Sequence, residues 1–193
     1  MEKLVLRNRA DLLLALLYAE ESPSGLATAV KGITRLEKLV FLLKMEAGLL
    51  RGVKSDDDFH FIPFRMGPWT QEVYDEVDFL ESLGLLTKEG TEPRSIEDKA
   101  HDDMLFGAMI LDKYQKSSSP VSDEKNENFG LTEKGKQKAK EVWDRLGDDE
   151  KKKIMGIKKR FNNMNLRQFL RYVYNKYPSY TSESEIKQYL GVE

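Results

Sequence analysis

Apolar positions run almost unbroken from Leu12 to Ala19, inside a stretch, Asn8 to Glu20, made largely of Leu and Ala. Those are the strongest helix formers, and an apolar surface around most of the circumference marks a buried helix, expected over 8–20. Glu21-Ser-Pro-Ser-Gly25 interrupts it. Leu36, Leu39, Val40, Leu43 and Ala47 then recur at helical spacing and predict a second helix over 34–47. Thr34 is its expected N-cap, with Glu37 at the capping-box offset. The aromatic run Phe59 to Arg65 reads as an extended segment that Pro63 confines to an edge. Gly67-Pro68 is expected to open a third helix, Trp69 to Leu83, with Trp69 or Thr70 near the cap. Val73, Val77, Leu80 and Leu83 are expected to face inward, joined by Tyr74 and Phe79, and Gly84 ends the helix.

Leu85 to Lys88 reads as a short strand and Asn128 to Thr132 as a returning one. Between them lie a polar, turn-rich stretch (89–104), a segment open to strand or helix (104–114), and a run poor in apolar residues (115–127). Thr132 then caps a helix over 133–146. Asp148 to Glu150, suited to the positive end of a helix dipole, open a basic helix to Phe161. Asn165 starts another, with Leu166, Phe169, Leu170, Val173 and Tyr177 as its stripe; Pro178 closes it, and 182–190 is a last short helix. The pattern is mainly α with a small antiparallel β wing. It predicts a winged-helix-like domain over 1–132, with a long wing insertion at about 89–127, and a basic helical extension over 133–193.

Charge sharpens this division. Residues 1–84 carry 10 Lys+Arg against 14 Asp+Glu, residues 85–132 carry 6 against 10, and residues 133–193 carry 15 against 9. A basic last third behind an acidic front is an asymmetry that can mark a polyanion-facing surface. With 40% hydrophobic residues the chain can bury a core. It has no Cys, which removes disulfides, thiolate metal sites and cysteine nucleophiles together. No apolar run reaches membrane-spanning length, and the first residues lack a small-residue cleavage site. The expectation is a cytoplasmic protein with no membrane association.

Three stretches resemble one family. Ile33-Thr-Arg-Leu-Glu-Lys-Leu-Val-Phe-Leu-Leu43, Phe64-Arg-Met-Gly-Pro-Trp-Thr-Gln-Glu-Val-Tyr74 and Leu80-Glu-Ser-Leu-Gly-Leu-Leu86 are similar to the YwgA-like and phage-associated SocA-like (Panacea) antitoxin domains. There an LxKLxxLL helix precedes an aromatic strand and a Gly-Pro-aromatic helix start. Phe129-Gly-Leu-Thr-Glu-Lys-Gly135 looks like the exit from a wing. The likeness covers about residues 10–146, departing at the long excursion 89–126. It implies a regulatory or toxin-neutralising binding module without catalytic residues.

The candidate chemistry is sparse. Asp56 to Asp58 have oxygen ligands but lack the glycine and glutamate of a calcium loop. His60 and His101 stand alone, and Gly130-x4-Gly135-Lys136 lacks the Ser/Thr of a phosphate loop. No catalytic, metal or cofactor residue is assigned, and no cofactor is expected. Gly67, Pro68 and Trp69 are assigned structural roles, and Arg65 is expected to pair with Asp56 to Asp58. Two binding readings remain. In the first, a DNA-associated regulator uses the wing and Lys134, Lys136, Lys151, Lys152, Lys158, Lys159, Arg160, Arg167 and Arg171. In the second, Glu72, Asp75 and Glu76 on the acidic helix 69–83 hold a basic protein partner, a toxin or other. The C-terminal stripe, with Tyr172, Tyr174 and Tyr180 beside it, is expected to make a homodimer.

Overall fold

The computed structural model describes residues 6–19, 29–90 and 127–192. In chain order the elements are α1 (Arg9–Tyr18), β1 (Val30–Lys31), α2 (Ile33–Met45), β2 (Ile62–Phe64), β3 (Gly67–Trp69), α3 (Gln71–Ser82), β4 (Leu86–Gly90) and β5 (Glu127–Leu131). There follow α4 (Glu133–Arg145), α5 (Asp148–Phe161), α6 (Leu166–Lys176) and a short α7 (Lys187–Leu190). The chain is mainly helical with a small antiparallel sheet, as the residue pattern indicates. The expectations for 104–114 and for His101, and nearly all of the excursion between the strands, lie outside the described residues.

β5 runs between β1 and β4, antiparallel to both. Its register sets Val30 opposite Phe129 and takes β4 from Leu86 opposite Leu131 to Gly90 opposite Glu127. The two strands expected to flank the excursion therefore pair with each other. A separate hairpin joins β2 and β3, with Pro63 opposite Pro68. Neither proline has an N–H to donate, so the pair suits a position where the ladder needs none.

One apolar cluster runs through the described residues. Leu12, Leu13 and Leu16 of α1 meet Leu36, Leu39, Phe41 and Leu42 of α2, all fully buried. α1 packs on α4, and α2 on α5. Val73, Val77 and Leu80 seal the inner face of α3. Among the described residues no helix is long and apolar enough to cross a membrane.

Several local expectations are corrected. α2 begins at Ile33 behind Gly32, not behind Thr34. Gly32 has a positive φ of 83° and donates its N–H to Glu127 O at 2.8 Å, so the helix springs directly from the sheet. Glu37 is buried instead of capping. Gly67-Pro68 does not open α3 but forms β3; Thr70 caps the helix, its side chain accepting from Glu72 N. Gly67 is required there by its φ of 87° and by Tyr174, whose Cε2 would lie 2.9 Å from an added Cβ. Phe79 and Leu83 are exposed, not inward. Arg65 pairs with Glu185, while Asp58 is held by Lys44 at 2.7 Å.

The α6 stripe is internal. Phe169, Leu170 and Val173 are buried, Phe169 stacks on Phe161 with ring centroids 4.8 Å apart, and Tyr177 meets Phe41 edge-on. Leu166 and Tyr177, with Tyr172 and Tyr180 beside them, are only partly buried, but the centre of the stripe is spent on the chain's own core, so it no longer argues for the homodimer that was expected.

Candidate interaction surfaces

The LxKL segment of α2 supplies the anchor for α3. Lys38, 1% exposed, donates to Glu37 Oε2 at 2.5 Å and to Pro68 O at 2.7 Å. Glu37 in turn accepts from the Thr70 backbone N–H at 3.1 Å. Burial pulls the Lys38 ammonium below its ordinary pKa, against the opposing pull of Glu37. A buried ion pair is held only when its remaining hydrogen-bonding positions are filled, and here both ends tie the β3–α3 junction to α2. The pose of α3 is thus fixed from inside.

α3 carries Glu72, Asp75, Glu76, Asp78 and Glu81 and no cation. These five divide by direction. Glu72 accepts from His60 Nδ1 at 2.9 Å and from the His60 backbone N–H at 3.0 Å, with the Arg9 guanidinium 4.0 Å away. Glu76 is half-buried with Arg9 at 3.7 Å; desolvation raises its carboxyl pKa, Arg9 lowers it, and Asp57 and Asp75 add to the rise. Both point toward the body of the molecule. Of the three residues expected to hold a partner, only Asp75 is exposed, bonded to Gln71 along its own helix.

The outward face has a different make-up. Phe79 is 52% and Leu83 43% exposed, one turn apart. Asp75, Asp78 and Glu81 are exposed on the same helix, the last two bridged by Lys88 at 2.5 and 2.7 Å. Helical spacing already carries this information. Val73, Val77 and Leu80 set the inner line, and Phe79, two residues past Val77, lies roughly 200° round from it.

The basic residues do not form one surface. Lys136, Lys138 and Lys140 of α4 pair with Glu133, Glu141 and Asp144 of the same helix, and Lys134 donates to Leu83 O at 2.8 Å. Such pairs are the ordinary dress of a solvated face. Lys158 is a correction: it is fully buried and donates to Leu17 O and Ala19 O at 3.1 and 2.8 Å, closing the C-terminus of α1. Its charge is not available to a phosphate. Arg167 is partly buried at the start of α6, Lys151 partly buried on α5, and Lys152, Lys159, Arg160 and Arg171 are exposed. Among the described residues no group of three or more His, Asp or Glu is placed to hold a metal.

No protein-family model, curated protein or solved structure matches this chain. What the surfaces can hold follows from their own chemistry.

Proposed function

We propose that this chain is a non-enzymatic, winged-helix-like interaction module that holds a basic protein partner against the outer face of α3. The three-helix, three-strand order, with β5 between β1 and β4, supports the winged-helix reading. The resemblance of 33–43 and 64–74 to SocA-like antitoxin domains supports a partner-holding role. The single observation that carries the reading is the exposed pair Phe79 and Leu83, set beside Asp75, Asp78 and Glu81. Large apolar side chains gain by leaving water, and interface anchors are often aromatic. Asp78 and Glu81 share the single cation Lys88 and Asp75 is bonded to Gln71, so three carboxylates against one ammonium leave a net negative face that favours a cationic partner and disfavours an anionic one. The acidic residues of α3, with no cation among them, also argue against placing DNA on this helix, since none of its side chains would neutralise a phosphate.

The test uses an amphipathic helical peptide of leucine and lysine, titrated calorimetrically. Binding is expected to the parent chain, to be lost in Phe79→Ser/Leu83→Ser, and to weaken with a flatter salt dependence in Asp75→Asn/Asp78→Asn. Equal binding by the parent and the Phe79→Ser/Leu83→Ser variant would overturn the reading, as would equal affinity for a leucine–glutamate peptide.

A further inference from the structure

α5 buries Ile154, Ile157, Lys158 and Phe161 against the core. Its opposite side presents Lys152, Gly156, Lys159 and Arg160, all exposed. Lys152, Gly156 and Arg160 follow one another at four-residue spacing, so they lie along one line of the helix surface. Gly156 has no structural reason to be glycine. A Cβ added there would meet nothing within 4 Å, and its backbone has no positive φ. Glycine in a helix interior is less favourable than every ordinary residue except proline, so it weakens α5 without helping it pack. What it does provide is bare backbone between cations, where another chain can come close.

Those cations are also differently placed from the lysines of α4. Among the described residues, none of Lys152, Lys159 and Arg160 has a carboxylate partner. Arg160 is instead held over aromatic rings, 4.6 Å from the Tyr172 centroid and 4.8 Å from that of Phe161. Its guanidinium is oriented but not neutralised. The acids of this helix are confined to its first turn, where Asp149 takes Lys153 at 2.7 Å.

We infer that this face of α5 binds the phosphate backbone of duplex DNA, without reading its sequence. A phosphodiester carries its charge on the backbone itself and must approach closely, which the bare Gly156 permits. The carboxylates of an acidic polypeptide reach out on side chains and need no such gap. Single strands are usually gripped by base stacking on open aromatic rings. Here the Tyr172 ring is occupied by Arg160 and by Lys176, 5.3 Å from its centroid. The surface is distinct from α3 and does not depend on the partner reading.

The experiment is fluorescence anisotropy of a mixed-sequence duplex with the full chain across a salt series. Expected is salt-dependent binding whose log–log slope flattens by about 2–3 in Lys152→Gln/Lys159→Gln/Arg160→Gln, at about 0.9 per phosphate contact. Gly156→Ala is expected to lose affinity at every salt concentration while melting about 2–4 °C higher. Phe79→Ser/Leu83→Ser is expected to leave duplex binding unchanged. No salt-dependent binding, an unchanged slope in the triple variant, or parental affinity in Gly156→Ala would each overturn the inference. Equal binding of single strands, or displacement of the duplex by poly-glutamate at matched charge, would reassign the surface and overturn it too.

Discussion

Gly135 and Gly156 both sit in helices, and the same substitution is expected to act on them in opposite directions. Gly135 lies in the first turn of α4, where its N–H donates to Thr132 Oγ1 at 2.9 Å and an added Cβ would collide with the Leu85 carbonyl oxygen. The obstacle is backbone and cannot swing aside. Gly135→Ala is therefore expected to cost about 3 kcal/mol or more, at the top of the overpacking range, whereas Gly156→Ala should gain about 1 kcal/mol. Urea unfolding of the two variants measures both, and a common sign would refute the assignment. Lys38 gives a second contrast. Lys38→Met leaves Glu37 buried without its partner and is expected to cost about 3–5 kcal/mol, much of it recovered when Glu37→Gln is added. An equally unstable double variant would show that the pair is not the source of the loss. Lys38 stands in a stretch whose apolar spacing is plain in the sequence, yet its burial is not: lysine is almost never fully buried unless paired, and the groups that complete the pair, Pro68 O for Lys38 and the Thr70 N–H for Glu37, lie 30 and 33 residues away.

The elements were legible where local chemistry and packing agree. α1, α4 and α6 fall close to their expected spans because each joins a helical period to a side-chain cap, as with Asn165 accepting from Arg167 N and Gln168 N; α5 starts behind Gly147 without one and is marked instead by the acids of its first turn. Gly67-Pro68 misled because Gly-Pro suits a helix start as well as a strand, and only the approach of Tyr174 distinguishes them. Thr34 misled because a strand ending at Lys31 gives α2 its start before the apparent cap. On α3, periodicity identified Val73, Val77 and Leu80 but carried the inner line one step too far to Leu83, and hydrophobic character added Phe79 to it wrongly. Since these two are exposed, Phe79→Ser/Leu83→Ser should change unfolding free energy by no more than about 0.5 kcal/mol. A larger loss in the isolated chain would mean that they belong to the core. On α6, burial pushes the Tyr174 hydroxyl up to about 12, with the hydrogen bond to Ser184 pulling the other way. A phenol with a higher pKa folded than unfolded stabilises fully below pH 10 and loses that contribution as pH rises toward 12. Melting temperatures from pH 9 to 12 should fall more steeply for the parent than for Tyr174→Phe; parallel curves would contradict this. Lys38, shifted downward, acts in the opposite sense as pH approaches its ordinary 10.5, but equally in both proteins.

At the scale of the whole molecule, α3 and α5 rest on the same two helices, α1 and α2, without sharing a surface residue. The charge asymmetry of the sequence is real, but charge counts do not reveal which cations are occupied. Folding spends Lys158 on the end of α1 and places acids beside the lysines of α4, while Lys152, Lys159 and Arg160 of α5 stay exposed with no carboxylate partner among the described residues. It likewise turns Glu72 and Glu76 toward Arg9 and leaves Asp75, Asp78, Phe79, Glu81 and Leu83 outward. The central claim is that this outward face of α3 is the partner-holding surface. Its most direct test is the map of backbone amide shifts as the leucine–lysine peptide is added to isotope-labelled full-length protein. The account predicts saturable shifts centred on residues 75–84, with those of 152–160 unmoved. Shifts centred on any other element, with 75–84 still, would contradict it.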